Sequence, residues 1–482
     1  MSFRRYLACT FLIALAGLFL LSRPVSSSQV EKISSRVLDE TKSGGSTEAI
    51  VVLKEQADLS AADKLSTKAE KGQFVVGALR TVANRTQGPV LNFLRQRGVP
   101  YQSFFIVNMI KVTGNRSLME ALAAREDVAQ IDANPHVRTA LPRPTGFDLP
   151  QVKPNPEWNL KQVKATSVWS LGFHGEGMVV ADADTGAQWD HPALKNQYRG
   201  WDGQNVNHDY NWHDASPEHS PTPVDPNSHG TFTASEMAGY DGGSNLLGVA
   251  PRSKWIACRN MDPNGTGSPT SYTECFQFLI APYPVGQPDK GDPSKAPDSI
   301  NNSWVCPQSE GCSTNTLLKI VNAVRAAGIF PAMAAGNSGS GCSSVDTPPA
   351  IYAAAVSVGA TDSANNIASF SSRGPVTADG SNRLKPELSA PGVNIRGAVP
   401  TNQYSSGWDG TSMATPHVAG GVALIWQAKP SLKGQITATE KLYALTATHL
   451  KSSQNCGGSG QNIPNNVFGY GLINLYKAVT AQ

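Results

Sequence analysis

The sequence predicts an α/β protein: a parallel sheet flanked by helices, preceded by a small α+β module. Three observations carry that prediction. From about Trp158 onward, short apolar runs alternate with helical stretches: Met178 to Ala183, Trp255 to Ala257, Ser299 to Ser303, Ile329 to Ala334 and Ala354 to Val358. Strands separated by helix-length crossovers pair in parallel and place their helices on both faces. Residues 48 to 139 read differently, as strand, helix, strand, helix, strand, without a cysteine. Between the two lies a stretch holding Pro142, Pro144, Pro150, Pro154 and Pro156, which cannot continue regular structure and reads as an exposed linker.

The elements follow in order. Arg4 and Arg5 precede an apolar run from Tyr6 to Leu21, and Ser26, Ser27 and Ser28 follow Pro24. A basic start, an apolar stretch and small residues read as an export signal over residues 1–28. The apolar run is shorter than the ~20 residues that span a bilayer. The expected mature protein is therefore secreted, without a membrane anchor. Cys9 lies before most of the apolar run, which argues against a lipidated cysteine there.

Residues 29–140 hold the small module. Glu48 to Leu53 reads as its first strand, the Ala-, Lys- and Glu-rich stretch to Arg97 as helix, and Phe104 to Val112 as a second strand. Ser117 to Arg125 reads as a short helix and Val128 to Ile131 as the last strand. Residues 141–157 form the Pro-rich linker and 158–482 the larger domain.

Composition excludes several function classes. Of 482 residues, 40% are hydrophobic and 16% charged, and 40 Lys and Arg oppose 37 Asp and Glu for a net charge of +3. No basic stripe stands out, so no nucleic-acid partner is expected. Beyond Cys9, six cysteines remain, at 258, 275, 306, 312, 342 and 456. An even set in an exported chain favours disulfides, with fifteen connectivities open. Cys306 and Cys312 bracket a short loop and are the pair most readily proposed. No paired C-x-x-C spacing supports zinc.

Three segments carry the chemistry: Met-Val-Val-Ala-Asp-Ala-Asp-Thr-Gly at 178–186, Ser-His-Gly-Thr at 228–231, and Gly-Thr-Ser-Met-Ala-Thr-Pro-His-Val-Ala-Gly at 410–420. A serine hydroxyl is a weak nucleophile until a neighbouring base accepts its proton. Imidazole suits that role near neutral pH, and a buried carboxylate fixes its tautomer. Asp184 falls where an apolar strand breaks into a Thr-Gly turn. Asp182 competes for the acid role but lies inside the strand. Ser412 precedes a long apolar helical stretch, Ala414 to Ala428, where a helix N-terminus favours a developing oxyanion. His417 is five residues further along that helix, faces another way, and reads as structural.

At these residues, and over roughly Trp158 to the C-terminus, the chain resembles the subtilisin-like serine proteases. The resemblance implies a subtilisin-like catalytic domain with Asp184, His229 and Ser412 as catalytic triad. Met-Ala-Ala-Gly-Asn-Ser-Gly at 333–339 is similar to the family's oxyanion-hole loop, which implies Asn337 and the Ser412 N–H as donors. Ile-Asn-Asn-Ser-Trp-Val at 300–305 resembles the family's substrate-binding strand, in wording like the bacillopeptidase F branch. Its edge would pair with an extended peptide. Ser303, Trp304 and Val305, with Ala334, Ala335 and Gly336, would then line the pocket before the scissile bond. Val305, where relatives often have Gly, would narrow that pocket, and no acidic residue there supports strict Lys or Arg selectivity. Phe232 stands where the family usually has a second histidine.

The resemblance also implies that residues 29–140 are a subtilisin-type propeptide, acting as folding assistant and intramolecular inhibitor, with maturation between Leu141 and Glu157. Protein or peptide substrates, a monomer, and no cofactor for catalysis are expected. Structural calcium is common in the family, and no loop is assigned to it. His208, His213, His219 and His229 crowd one stretch with Asp209, Asp214 and Asp225, but four prolines there imply loop rather than a helical metal motif. An α/β-hydrolase reading needs an acid and then a histidine after the serine, and only Glu440 and His449 follow. The remaining alternatives are a catalytically arrested zymogen and a binding protein on the same scaffold.

Overall fold

The computed structural model describes residues 31–142, 146–147 and 156–482. The expected export signal at 1–28 and most of the linker lie outside the described residues.

The module is a four-stranded antiparallel sheet of β1 (Ser46–Leu53), β2 (Tyr101–Phe104), β3 (Met109–Asn115) and β4 (Val128–Ala133), in the order β2-β3-β1-β4. The period-2 pattern of β1 divides its side chains. Ala49, Val51 and Leu53 join Val90, Leu94, Ile110 and Leu122 in the module's own core. Ile50 and Val52 join the larger apolar cluster that includes Phe276 and Leu279 of the larger domain. The sheet therefore buries both faces. The single strand expected over Phe104 to Val112 is corrected to a hairpin, turning at residues 105–108. The backbone N–H groups of Phe105 and Ile106 leave the ladder and donate to Gln277 Oε1 at 2.7 and 3.2 Å. The helical stretch divides into Lys68–Thr86, closed at its start by a Thr67/Glu70 capping box, and Gly88–Gln96 with Pro89 in its first turn.

The chain then runs through β5 (Val137–Arg138) and β6 (Gly146–Phe147), so the linker is not irregular throughout as expected. The sheet of the larger domain has seven strands: β7 (Val179–Asp184), β8 (Trp212–Asp214), β9 (Lys254–Arg259), and, after a short β10 (Thr266–Gly267), β11 (Ser299–Asn302), β12 (Phe330–Ala334), β13 (Val356–Thr361) and β14 (Leu388–Pro391). All of its pairings are parallel, in the order β14-β13-β12-β11-β7-β9-β8. From β7 the chain crosses first to one side and later to the other, so the sheet's switch point lies at β7, where open α/β sheets form their crevice. Ala181 and Ala183 face helices Pro269–Ile280 and Leu318–Ala326, while Val180 joins the cluster built by helices His229–Ala238 and Thr411–Ala428. β15 (Ile395–Val399) and β16 (Gln403–Trp408) pair antiparallel, and β6 adds to β16. β8 and β14 had no counterpart among the sequence-predicted strands.

All six described cysteines are paired: Cys258–Cys275, Cys306–Cys312 and Cys342–Cys456. Among the described residues no helix is long and apolar enough to cross a membrane.

Candidate active site

Asp184 is the last residue of β7, at the switch point. The following Thr185 and Gly186 lock onto the turn that starts the His229–Ala238 helix. Thr185 Oγ1 accepts from the Gly230 N–H at 2.9 Å and donates to Asp225 Oδ1 at 2.9 Å. A Cβ on Gly230 would sit 2.1 Å from the Gly186 carbonyl oxygen, so the two backbones approach this closely only with glycine there. Asp225 serves as the cap of the His229 helix. Its Oδ1 accepts from the Asn227 and Ser228 N–H groups, and its Oδ2 from the Thr231 N–H and hydroxyl. Sequence reasoning placed Asp225 only in a metal-like cluster; the signal that it caps a helix was its position a few residues before the His-Gly-Thr turn.

His229 Nδ1 lies 2.8 Å from Asp184 Oδ1, and both side chains are wholly buried. Asp184 Oδ1 also accepts from the Thr185 N–H at 2.7 Å. With its Nδ1 proton donated to the carboxylate, a neutral imidazole keeps its lone pair on Nε2, and that atom has no hydrogen-bond partner within the protein. The Trp408 ring stands 6.1 Å from the His229 ring. Phe232, one turn into the helix, stacks on that indole at 4.4 Å and packs with Ile395, Val399 and Met413. Phe232 and Trp408 together thus form an apolar wall beside the His229 ring.

Ser412 is the second residue of the helix Thr411–Ala428, longer at its start than the predicted Ala414 to Ala428. Its N–H lies in the first turn, where no intrahelical acceptor exists. Its hydroxyl donates to the Ser303 carbonyl at 3.1 Å. The Thr411 N–H and hydroxyl both donate to Asn337 Oδ1 at 2.9 Å, and the Gly336 N–H donates to Thr411 Oγ1 at 3.2 Å. Those donors fix the Asn337 carbonyl oxygen, so its exposed amide nitrogen is the end left free to donate outward.

Ser303–Val305 and Ala334–Gly336 leave neighbouring parallel strands at the same end. β11 is paired on both edges, by β7 and β12, so Ile300 to Asn302 offer no edge to a peptide; only the residues beyond Asn302 do. The Trp304 ring turns inward, stacking on Tyr272 at 3.9 Å and donating to the Ala183 carbonyl at 2.8 Å. Across from these segments β5 pairs antiparallel with β10, and the Thr139 N–H donates to the Gly265 carbonyl at 3.0 Å. Thr139 Oγ1 reaches the Val305 carbonyl at 3.4 Å, and a Cβ on Gly410 would meet Pro142 at 2.8 Å. The tail of the module therefore lies along the candidate cleft.

Asp182 does not touch His229; it binds Asn301 and Thr233 instead. His417 is pushed down to about 4 by burial, and its neutral ring donates from Nδ1 to the Met413 carbonyl while accepting from Asn159. The crowded histidines go to separate partners: His208 to Tyr198, His213 to Glu274, His219 to the Asp214 carbonyl, and His229 to Asp184. Among the described residues no three His, Cys, Asp or Glu side chains converge on one point that could hold a metal ion.

A family model described as the subtilase family matches residues 175–471. The chain is 35% identical over 484 aligned residues to bacillopeptidase F of Bacillus subtilis (strain 168), covering 93% of this chain and 32% of that protein. It thus spans about a third of that relative's length. It is 32% identical to subtilisin Savinase of Lederbergia lenta, covering 67% of this chain and 97% of the relative. Against subtilisin E of Bacillus subtilis (strain 168) the identity is 29%, over 87% of this chain and 92% of the relative.

Proposed function

The chain belongs to the subtilase family, and from that premise we propose that it is a secreted serine endopeptidase. It would be made as a zymogen and cut protein or peptide substrates through an acyl-enzyme on Ser412. The observation that carries this reading is the buried bond between His229 Nδ1 and Asp184, which leaves Nε2 as the basic atom. The Ser412 hydroxyl turns from the Ser303 carbonyl to Nε2. As Oγ bonds the substrate carbonyl carbon, its proton passes to Nε2 and the carbonyl electron pair moves onto oxygen. The Asn337 amide and the Ser412 N–H receive that oxyanion. Collapse expels the amine, which takes the proton from Nε2, and water then repeats the sequence in reverse to release the acid. The Asp184 carboxylate stabilises the imidazolium. Each step is supplied by a side chain or a backbone N–H, so the reading assigns no cofactor to catalysis.

Residues 29–140 act in this reading as intramolecular inhibitor. The tail along β10 supports that role, because it occupies a groove that an extended substrate would pair with. Maturation falls between Leu141 and Glu157. Six paired cysteines support export to an oxidising compartment.

The test is intact-mass analysis of secreted wild type and Ser412→Ala, with casein hydrolysis and labelling by an organofluorophosphonate. Wild type should gain one phosphonyl adduct, lose the module and cleave casein, while Ser412→Ala does none of these. Casein cleavage by Ser412→Ala at the wild-type rate would overturn the assignment, and unlabelled, uncut wild type would point to an arrested zymogen.

A further inference from the structure

The polar face of β7 carries a second aspartate that the triad leaves unused, and a chain of hydrogen bonds runs through it. The chain begins at Pro416, which has no N–H to donate to the carbonyl four residues back, so Ser412 loses its helical partner. Ser303 Oγ supplies the missing donor at 3.0 Å. With its only proton used, the Ser303 hydroxyl accepts from Asn301 Nδ2 at 3.1 Å. The second hydrogen of that amide reaches Asp182 Oδ1 at 2.8 Å, across the β7–β11 pair in which Asn301 sits opposite Asp182. Asp182 Oδ2 lies 3.0 Å from Thr233 Oγ1, which is itself 3.2 Å from the carbonyl oxygens of His229 and Gly230.

We propose that Asp182 is a positioning residue: through this chain it sets the spacing between the helix that bears the nucleophile and the helix that bears the base. The inference rests on the peptidase reading and deepens it.

None of Asp182, Thr233, Asn301, Ser303 and Ser412 is more than 3% exposed, so no water competes for these bonds. The surroundings also give the chain one direction. Burial, and then the Asp184 carboxylate beside it, push Asp182 well above the usual carboxylate range; Asp225 adds to the effect, and Glu236 on the same helix as Thr233 faces it as well. A protonated Asp182 donates to Thr233 Oγ1, and the Thr233 proton goes on to a carbonyl of the first turn of the His229 helix. Every donor then has one acceptor. Apolar packing between the helices is non-directional, whereas these bonds fix both to the two rigid central strands.

The experiment compares kcat and KM of matured wild type, Asp182→Ala, Asp182→Asn, Thr233→Val and the double variant Asp182→Ala/Thr233→Val, each normalised by fluorophosphonate titration. Wild-type labelling and turnover come first. Their absence would overturn the peptidase reading itself, whereas differences among the variants report on Asp182 alone. Asp182→Ala should lower kcat by roughly 10- to 100-fold, the scale of a misplaced catalytic group, with KM within about twofold. Asp182→Asn, which can still accept from Asn301 and donate to Thr233, should stay within about threefold of wild type. Thr233→Val should lower kcat, and its effect should vanish in the Asp182→Ala background. A wild-type kcat in Asp182→Ala, an Asn variant as slow as the Ala variant, or fully additive single effects each overturn the proposal. If Asp182→Ala does not fold, an unchanged kcat in Thr233→Val overturns it alone.

Discussion

Two seams hold this molecule together, and they are built on opposite principles. The first joins the N-terminal module to the catalytic domain. Many of its polar bonds end on backbone carbonyls: Lys68 Nζ on Ala296 at 2.7 Å, Lys71 Nζ on Gly434 at 2.9 Å, and Arg80 on Gly291 at 3.0 Å. Asp298 shows what happens on parting, because Lys433 of the catalytic domain shares its Oδ1 with Lys68, each at 3.2 Å, and the Val179 N–H holds its Oδ2. If the module leaves as proposed, Asp298 keeps two partners and water serves the freed carbonyls. The second seam joins the His229 and Ser412 helices through Asp182, and each member is buried with no substitute donor. In the proposed maturation the first seam is the one that opens; the second cannot open without orphaning polar groups, each at a cost of about 1–3 kcal/mol.

The contrast can be broken or sharpened in three ways. The largest effect is expected at Asn337, which is exposed and held only through its carbonyl oxygen. Asn337→Leu should lower kcat by about 10²–10³ with KM little changed, the scale recorded for the corresponding donor in subtilisin, a relative of this chain. A kcat within threefold of wild type would remove Asn337 from the oxyanion site.

Gln277 probes the first seam, since its Oε1 takes two module N–H groups. Gln277→Ala in the full chain should shorten the lag before activity appears about tenfold, equivalent to ~1.4 kcal/mol of lost docking, and leave the kcat of the mature enzyme unchanged. An unchanged lag would show that the apolar face of β1 alone governs release.

The smallest effect is expected at Glu236, whose two carboxyl oxygens are buried without partners within the protein. Burial holds its pKa well above the usual range. Between the unfolded value, about 4.3, and the raised folded value, the unfolded state sheds a proton that the native state keeps, so stability falls as pH rises. Glu236→Met should therefore match wild type in Tm near pH 4 and exceed it by roughly 2–4 °C near neutrality, with the gap widening upward. A constant gap across pH would mean that Glu236 does not titrate on unfolding.

Where the candidate site residues sit in the fold was mostly legible because they lie in contiguous turns, where local sequence dictates local geometry. Asp184 at the end of an apolar strand and Ser412 at the head of an apolar helix are of that kind. What could not be read required contacts between distant segments. The Gln277 cap on the 105–108 turn is separated from it by more than 170 residues, and the pairing of β5 with β10 joins two short, unremarkable stretches. Strand β8 has only three residues, too few for a periodic pattern. Asp182 was visible as a residue, yet its partners Asn301 and Thr233 become meaningful only once β11 lies beside β7.

The bridge Cys342–Cys456 closes a ring of 114 residues, the longest of the three. Ser412 lies inside that ring, and Asn337 stands five residues outside its near end. In the chain-entropy view, a closed loop of this length removes about 4–5 kcal/mol of freedom from the unfolded chain. Ser412 and Asn337 are thus tied by topology as well as by packing: even in a chain that has lost its fold, the bridge shortens the covalent path between them to about two thirds of its length along the backbone.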